Sequence, residues 1–364
     1  MEKQNRIGVL TGGGDCPGLN SVIRAVTKAA IKKYGMEVVG FLDGFKGLVE
    51  NDYMALDLKA VSGIGYRGGT ILGSSNRDNP FEYYSSHDGR RVATDQSDRA
   101  LANLENLGLD GLIVIGGDGS LHIAQRMFEK GLAVVGVPKT IDNDLSATDI
   151  TFGFNTAVDT ASSALDRLHT TAEAHHRVMI LEVMGRYAGW IALHAGISGG
   201  AHLILIPEIP YQIEHVIAKI RKRQWHGKKF SIIVVAEGAA PLGGEQVVQK
   251  MVAESHDPIR LGGIGQRLAQ EIEELTKIET RVTVLGHLQR GGSPIPYDRI
   301  LSARYGVAAV DAFASGQVGA MVSLKGQDII TVPIKEAIKE LKKVNPEGSM
   351  VEAARAIDIG FGDR

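Results

Sequence analysis

Residues 111–120 read GLIVIGGDGS, a run of four apolar residues between glycines that ends in a turn of three glycines and one aspartate. The run lacks the alternation of polar and apolar residues found in strands with one solvated face, so it predicts a strand buried on both faces. A helical pattern, SLHIAQRMFEKG, begins at residue 120. A buried strand, a short turn and a helix form the repeating unit of parallel α/β sheets.

The same unit recurs along the chain. Short apolar runs that end in glycine or in a polar turn begin at residues 6, 37, 133, 177, 203, 231 and 281, with further helical patterns at 20–35, 97–108 and 157–176. The stretches 7–25 and 178–196 share the strand, turn and helix pattern, which indicates two similar halves. We therefore predict two similar three-layer α/β domains with mostly parallel sheets and an active site in the cleft between them, because ligands bind beyond the carboxyl ends of parallel strands.

The composition is that of an ordinary globular protein. The chain has 364 residues, of which 44% are hydrophobic and 23% charged, with a net charge of −2 and the single cysteine Cys16. The charge balance favours neither nucleic acid nor an anionic membrane as a partner, and one cysteine fits a reducing cytosol. No apolar stretch approaches the roughly 18–20 residues of a membrane span, and the N-terminal residues leave no room for a signal peptide. We expect a cytoplasmic protein.

Two glycine-rich turns predict phosphate binding. The stretch TGGGDCPGLNS (11–21) places Gly12, Gly13 and Gly14 between a strand and a helix, where backbone amides and the helix N-terminus can approach an anion. In the second turn, 116–120, Asp118 and Ser120 could hold magnesium while the glycines wrap the phosphates of the same ligand. Tight turns at helix starts are the alternative for both. Neither turn matches the Walker or the dinucleotide-binding fingerprint, so a dehydrogenase is disfavoured.

A third turn and a set of cationic side chains predict phosphoryl transfer. In PKTIDND (138–144), Asp142 could accept a hydroxyl proton while Asp144 orients a neighbour, although an aspartate and asparagine turn network is the alternative. Arginine forks suit phosphate, and Glu237 could accept hydrogen bonds from sugar hydroxyls. The candidate cationic residues, each at an edge of a predicted strand, are Arg177, Arg186, Arg281, His287 and Arg290.

These motifs together resemble the phosphofructokinase family. The matching stretches, in family order, are GGGDCPGLN, GGDGS, TIDND, HHR, EVMGRYAGW, AEG and ETRVTVLGHLQRGGSPIPYDRILS, and the likeness covers nearly the whole chain up to about residue 320. The resemblance implies an ATP-dependent 6-phosphofructokinase of glycolysis that phosphorylates the 6-hydroxyl of fructose 6-phosphate to give fructose 1,6-bisphosphate. It implies a donor-binding domain of about 1–152 plus about 288–340, and a sugar-phosphate-binding domain of about 153–287 plus about 341–364.

The resemblance also assigns roles to residues. Asp142 is the expected base and Asp118 the expected Mg²⁺ ligand, with Arg77, Lys139 and Arg186 as further catalytic residues. The expected donor site is Gly14, Arg77, Gly117, Asp118, Gly119 and Ser120. The expected sugar-phosphate site is Thr140, Ile141, Asp142, Arg177, Met184, Gly185, Arg186, Glu237, Arg281, His287 and Arg290. Arg177 and Arg281 match arginines that reach the substrate across a subunit interface in this family, which implies a homo-oligomer, commonly a tetramer.

The phosphoryl donor depends on two residues that point in different directions. Family members that use ATP usually have glycine at the positions of Gly119 and Lys139, whereas those that use pyrophosphate usually have aspartate and lysine there. Gly119 leaves room for the nucleoside, and Lys139 does not exclude ATP, so we expect ATP. The mixture resembles a mixed-substrate branch of the family. The alternatives are a pyrophosphate-dependent fructose-6-phosphate 1-phosphotransferase, a catalytically weak regulatory subunit, and another acceptor such as sedoheptulose 7-phosphate.

Allosteric regulation is expected to differ from that of the bacterial ATP-dependent enzymes, in which ADP or phosphoenolpyruvate binds basic residues of a separate pocket. Basic residues that match this pocket are Arg24, Lys28 and Lys228 or Lys229. Leu58, His169 and His226 stand where further basic residues would be expected. We therefore expect a weak or altered response to those effectors.

Overall fold

The computed structural model describes residues 5–87, 90–251 and 259–364. The strands are β1 (Arg6–Thr11), β2 (Glu37–Phe41), β3 (Tyr53–Ala55), β4 (Tyr83–His87), β5 (Arg90–Thr94), β6 (Gly111–Gly116), β7 (Val134–Pro138), β8 (Val178–Val183), β9 (Leu203–Leu205), β10 (Ser231–Ala236), β11 (Val248–Met251), β12 (Ile259–Leu261), β13 (Thr280–Val284), β14 (Ala320–Lys325) and β15 (Asp328–Pro333).

Helices separate most of these strands. They are α1 (Leu19–Tyr34), α2 (Phe45–Glu50), α3 (Ser97–Asn106), α4 (Asp118–Glu129), α5 (Phe154–His175), α6 (Trp190–Ser198), α7 (Ile213–Trp225), α8 (Ile264–Thr276), α9 (Pro296–Ala314), α10 (Ile334–Ala337) and α11 (Ser349–Ala356), with a 3₁₀ turn at Gly286–Gln289. Within the described ranges, none of these helices is long and apolar enough to cross a membrane.

The strands form two main sheets. The first has the order β15-β14-β7-β6-β1-β2-β3, in which only the two edge strands, β15 and β3, pair antiparallel with their neighbours. The second has the order β13-β8-β10-β9 and is entirely parallel. Strands β6, β8 and β10 are buried along their whole length, as their mainly apolar sequences predict. The predicted fold class, two α/β units with mostly parallel sheets, is confirmed.

The two sheets share one apolar core. The largest cluster of buried side chains runs from Ile7 of β1 through Ala161 and Leu165 of α5 to Leu181 of β8. The chain after the second sheet returns to the first, because β14 pairs with β7 and α9 packs on α1. Its C-terminal end then returns to the second sheet, where Gly360 pairs with Leu203. The three turns singled out from the sequence, which begin after Thr11, Gly116 and Pro138, follow the carboxyl ends of β1, β6 and β7 in the first sheet.

Candidate active site

A cavity of about 1550 Å³ lies between the turns of the two sheets. Most of the residues proposed from the sequence line this cavity. They are Gly14, Arg77, Gly117, Asp118, Gly119, Ser120, Lys139, Thr140, Asp142, Met184, Arg186, Glu237, His287 and Arg290. The carboxyl ends of β1, β6 and β7 therefore face those of β8, β10 and β13 across one space.

The glycine turns of the first sheet are packed too closely for side chains. A Cβ atom on Gly12 would lie 2.5 Å from Ser120 Oγ, and one on Gly14 would lie 2.9 Å from Arg290 Nη1. The backbone N–H of Gly13 donates to the carbonyl oxygen of Ser75 at 2.9 Å, which holds the exposed loop that carries Arg77 against the turn. We call this side of the cavity, formed by residues 12–15, 74–79 and 117–120, the glycine wall.

The N-terminus of α4 points its first residues into the glycine wall. Its N-cap residue is Gly117, and Asp118 is the first helical residue, with a side chain that is 30% exposed. Free amides and the helix dipole at such an N-terminus favour phosphate groups. Among the described residues, no group of three or more His, Cys, Asp or Glu side chains could hold a metal ion by itself. A single carboxylate fits Mg²⁺, which usually takes one or two carboxylates together with phosphate oxygens and water.

Lys139 lies at the bottom of the cavity. Its side chain is almost fully buried, and its ammonium group donates a hydrogen bond to the carbonyl oxygen of Gly14. Burial lowers the pKa of Lys139 to about 8, and the charge of Arg290 acts in the same direction. The lysine therefore remains largely protonated at neutral pH and places a positive charge between the first glycine turn and the acidic turn.

The acidic turn 140–144 is held in an unusual backbone conformation. The hydroxyl of Thr151 donates to the carbonyl oxygen of Thr140 at 2.6 Å, and Asn143 has a φ of 51°, in the left-handed region. The Oδ1 atoms of Asp142 and Asp144 are buried and accept no hydrogen bond from the described part of the chain. Each of these two carboxylates thus keeps one buried oxygen atom for which the described residues supply no donor.

Burial raises the pKa of both aspartates. For Asp142 the nearby positive charges of Arg290, Lys139 and Arg186 oppose this rise. The pKa of Asp144 rises to about 7, first because of burial and then because of the charge of Asp142. A carboxylate whose pKa is raised toward neutrality is a stronger base than an exposed one, so Asp142 is suited to accept a proton from a hydroxyl.

The second sheet contributes charged side chains to the opposite side of the cavity, which we call the charged wall (Arg186, Glu237, His287 and Arg290). Burial raises the pKa of Glu237 to about 7, and the charge of Asp142 adds to the effect. The Arg290 guanidinium donates to the carbonyl oxygen of Asp15 at 3.2 Å, so this arginine reaches across to the glycine wall. The Arg186 guanidinium lies 4.9 Å from the centre of the Tyr187 ring.

Four of the proposed residues lie elsewhere. The side chain of Ile141 is fully buried in the apolar core and does not reach the cavity, and Gly185 also lies outside the cavity lining. Arg177 pairs with Glu279 at 2.7 Å, and Arg281 forms ion pairs with Glu279 and Glu273. Both arginines are therefore outside the cavity of their own chain.

The structure adds lining residues that were not singled out from the sequence. Ser75 and Asp78 lie beside Arg77 in the glycine wall, and Tyr187 and Gln249 lie near the charged wall. The polar stretch GSSNRDNPF (73–81) was a signal for the first pair, because so many polar residues with a proline and a glycine predict a loop. Gln249 carries no such signal.

Comparisons with known proteins point to one family. The family model described as "Phosphofructokinase" matches residues 6–313. The chain is 57% identical to the ATP-dependent 6-phosphofructokinase 2 of Clostridium perfringens, an alignment that covers 100% of both chains. It is 52% identical to the pyrophosphate--fructose 6-phosphate 1-phosphotransferase of Amycolatopsis methanolica, over 94% of this chain and 97% of that protein.

A solved structure shows the same fold. The pyrophosphate-dependent phosphofructokinase of Nitrosospira multiformis superposes with a TM-score of 0.81 over 98% of this chain and 92% of that one. The two sequences are 18% identical, so this likeness bears on the fold alone.

Proposed function

The chain belongs to the phosphofructokinase family, and we propose that it transfers the γ-phosphoryl group of ATP to fructose 6-phosphate to give fructose 1,6-bisphosphate. Full-length relatives named for the ATP-dependent reaction, at 57% and 54% identity, support this activity. The structural observation that carries the proposal is Asp142, a buried carboxylate with a raised pKa, in one cavity with a helix N-terminus, Lys139 and Arg290.

The acceptor hydroxyl inferred from the sequence, the 6-hydroxyl, is wrong. The 6-oxygen of fructose 6-phosphate already carries a phosphate, so a 1,6-bisphosphate product requires transfer to the 1-hydroxyl. The printed name of the Amycolatopsis methanolica relative, a 1-phosphotransferase, gives the same position for that protein. We therefore assign the 1-hydroxyl of fructose 6-phosphate as the acceptor.

Asp142 acts as the base in the proposed reaction. Its carboxylate accepts the proton of the 1-hydroxyl while the hydroxyl oxygen bonds to the γ-phosphorus and the bond from that phosphorus to the bridging β,γ oxygen breaks. Lys139, Arg77 and the N-terminus of α4 stabilise the negative charge on the transferring group, which is the main task of a protein in phosphoryl transfer. When bound, Mg²⁺ at Asp118 would neutralise charge on the donor phosphates.

The charged wall binds the sugar phosphate. Arg290 supplies a cationic donor for the 6-phosphate, His287 supplies a ring N–H donor, and Glu237 can accept a hydrogen bond from a sugar hydroxyl. Arg186 lies on the same wall and its charge acts on Asp142, so it is near both the acceptor and the base. Thr140 lines the cavity between the two walls. Ile141 and Gly185 do not line it, and their role is limited to the backbone conformation of their turns.

ATP is the proposed donor because Gly119 adds no side chain to the first turn of α4, which lines the cavity. Pyrophosphate is a second candidate donor, because Lys139 is a buried cation in the same cavity and would serve either donor. A relative at 52% identity is named for the pyrophosphate reaction. A regulatory subunit without activity is disfavoured because both Asp118 and Asp142 are present.

Initial rates on fructose 6-phosphate and Mg²⁺, with ATP and pyrophosphate supplied separately, test the proposal. We expect turnover with ATP, and phosphorus NMR of the product should show a new phosphate ester on carbon 1. Turnover with pyrophosphate alone would contradict the choice of donor while leaving the family and the site intact. No turnover with either donor, in a preparation that binds fructose 6-phosphate, would contradict the enzymatic function.

We also propose that the protein is a homo-oligomer in which Arg177 and Arg281 contact the sugar phosphate bound by a neighbouring copy. Their position outside their own cavity supports this arrangement. Light scattering measures the assembly, commonly a tetramer in this family. Co-expression of the Arg177→Met chain with the Asp142→Asn chain tests the shared site. In a mixed oligomer, some sites would combine the wild-type Asp142 of one chain with the wild-type Arg177 of the other, and these sites should be active. Hybrids as inactive as the two parents would contradict it.

The membership of the sheets supports the division into a donor domain (about 1–152 and 288–340) and a sugar-phosphate domain (about 153–287 and 341–364), since β14 and β15 extend the first sheet and Gly360 pairs with the second. Amide hydrogen exchange tests this division, since each domain should exchange as one cooperative unit.

We expect a cytoplasmic enzyme, which cell fractionation checks. Steady-state rates with ADP or phosphoenolpyruvate should show at most a weak response, and strong activation by ADP would contradict this.

A further inference from the structure

The chain segment 341–344, LKKV, connects the acidic turn 140–144 with the turn that follows β8, and we call it the strap. Leu341 lines the cavity and forms an antiparallel bridge with Leu145. The backbone N–H of Lys342 donates to the carbonyl oxygen of Asp144 at 2.8 Å. The strap therefore runs along the acidic turn, although nothing in its sequence pointed to a role in the site.

The ammonium group of Lys342 is fully engaged by this turn and by the residues that follow it. It donates to Asn143 Oδ1 at 3.0 Å, to the carbonyl oxygen of Thr148 at 2.9 Å and to that of Asp149 at 2.7 Å. An ammonium group has three hydrogens to donate, so all of them are used on one short segment. Burial lowers the pKa of Lys342 to about 8, which is the cost of placing a cation here.

Asn143 is the residue through which Lys342 can act on catalysis. It lies between Asp142 and Asp144 and has a φ of 51°, a conformation that residues other than glycine rarely adopt without support. Its Oδ1 atom accepts hydrogen bonds from Lys342 and from the backbone N–H of Thr151, the latter at 3.1 Å. These two bonds hold the side chain, and a rotation of this backbone would redirect both neighbouring carboxylates.

The strap is also attached to the turn that carries Arg186. The carbonyl oxygen of Lys342 accepts a hydrogen bond from Trp190 Nε1 at 2.8 Å. Glu208 accepts from the backbone N–H of Val344 at 2.8 Å and from that of Gly189 at 3.0 Å. Gly189 and Trp190 close the turn after β8, so the same four-residue strap is bonded to the turn of the base and to the turn of a substrate-binding arginine.

We propose that Lys342 is a positioning residue for phosphoryl transfer, which fixes the Asp142 carboxylate through Asn143 at a defined place relative to the bound sugar. The proposal rests on the proposed function, since it names the residue that orients the proposed base. Lys342 does not touch the substrate in this account. Its loss therefore misplaces the base, while the walls that bind the sugar phosphate and the nucleotide remain.

The test compares Lys342→Met with Lys339→Met, in which an exposed lysine three residues earlier is changed in the same way. We expect Lys342→Met to lower kcat by about 10- to 100-fold, because small displacements of catalytic groups have effects of this size, while KM for fructose 6-phosphate changes less than about threefold. Lys342→Arg, which keeps the charge and the donors, should restore a large part of kcat. Lys339→Met should behave as the wild type.

Asn143→Ala provides the second arm. It should also lower kcat at nearly constant KM, and the double variant with Lys342→Met should be no slower than the slower single variant, because both changes break the same link. Should Lys342→Met fail to fold, Asn143→Ala decides alone, and a wild-type kcat in that variant overturns the proposal. The proposal is also overturned if Lys342→Met matches Lys339→Met, if only KM rises, or if the two changes multiply. A wild-type protein without turnover would instead contradict the proposed function.

Discussion

The two walls of the cavity offer opposite means of recognising phosphate. The glycine wall presents backbone groups and a helix N-terminus, and its contacts depend on the absence of side-chain atoms at Gly12 and Gly14. The charged wall presents arginine, histidine and glutamate side chains, and the charges of its two arginines, Arg290 and Arg186, lower the pKa of Asp142. The acidic turn lies between the walls and receives a cation from each side, Lys139 and Arg290.

This difference determines how each wall responds to substitution. Added side-chain atoms disrupt the glycine wall, because its contacts are made by the backbone. Its specificity for the donor should therefore depend on the size and the charge of any side chain introduced there. Removal of a charged side chain disrupts the charged wall. Such a substitution should therefore change KM for the sugar phosphate and the pH dependence of the rate. The acidic turn should be sensitive to both, because its carboxylates take their proton affinity from burial and from the charged wall together.

Asp142→Asn should have the largest effect, because it removes the base on which both walls converge. We expect kcat to fall by about 10²- to 10⁴-fold, the usual contribution of a general base, while KM for fructose 6-phosphate changes little. Steady-state kinetics with ATP measure both quantities. Asp159→Asn, at an exposed position of α5, is the matched control and should leave kcat unchanged. A kcat within tenfold of the wild type in Asp142→Asn would remove this aspartate from the role of base.

Two substitutions of Gly119 separate size from charge in the glycine wall. Gly119→Asp and Gly119→Asn add side chains of nearly equal size to the first turn of α4, but only aspartate adds a negative charge. If space for the nucleotide decides the donor, both variants should lower kcat/KM for ATP by about 100-fold, since unfavourable contacts of a few kcal/mol have this effect. Parallel assays with pyrophosphate show whether the loss is specific to ATP. Loss of ATP turnover in Gly119→Asp alone would show that charge, not space, excludes the nucleotide.

Arg290→Met tests the charged wall through its effect on Asp142. The arginine opposes the rise in the pKa of Asp142 that burial causes, so its removal should raise that pKa further. On the acid side of the pH profile, kcat/KM falls as Asp142 becomes protonated, and this fall should therefore move to higher pH. KM for fructose 6-phosphate should rise by about 10-fold or more, because a phosphate contact is lost. Arg267→Met, an exposed arginine paired with Glu271 on α8, is the control. An acid limb that stays in place or moves to lower pH would contradict this coupling.

Some strands and turns could be predicted from the sequence and others could not, and each difference has a physical reason. Mainly apolar runs predicted the buried strands β6, β8 and β10, because a strand covered on both faces needs few polar residues. The hairpin of β4 and β5 was not predicted, since its sequences YYSSH and RRVAT are largely polar. The glycine turns were recognisable because close backbone approach demands glycine itself.

Contacts between distant parts of the chain could not be predicted in this way. Lys342 reaches Asn143 across 199 positions, and nothing in the sequence of its segment indicates this contact. The burial of the Ile141 side chain follows from the path of a turn that no periodic pattern describes. The pairing of Arg177 with Glu279 likewise depends on the register of β13 beside β8.

Asp144→Asn should have the smallest effect of these substitutions. It measures how much the charge of this turn lowers the free energy of unfolding. The pKa of Asp144 is raised from 3.8 to about 7 in the folded protein. Between these values the folded state binds more protons than the unfolded state, so the stability contributed by this group falls as the pH rises from about 4 to about 7. The asparagine variant loses this dependence, and its free energy of unfolding should exceed that of the wild type by about 2 kcal/mol at pH 8, with a smaller difference at pH 5. Urea unfolding at both pH values, with the exposed Asp328→Asn as control, measures the difference. A variant that is less stable than the wild type at pH 8 would mean that Asp144 is held by favourable contacts and that the acidic turn is not strained by its own charge.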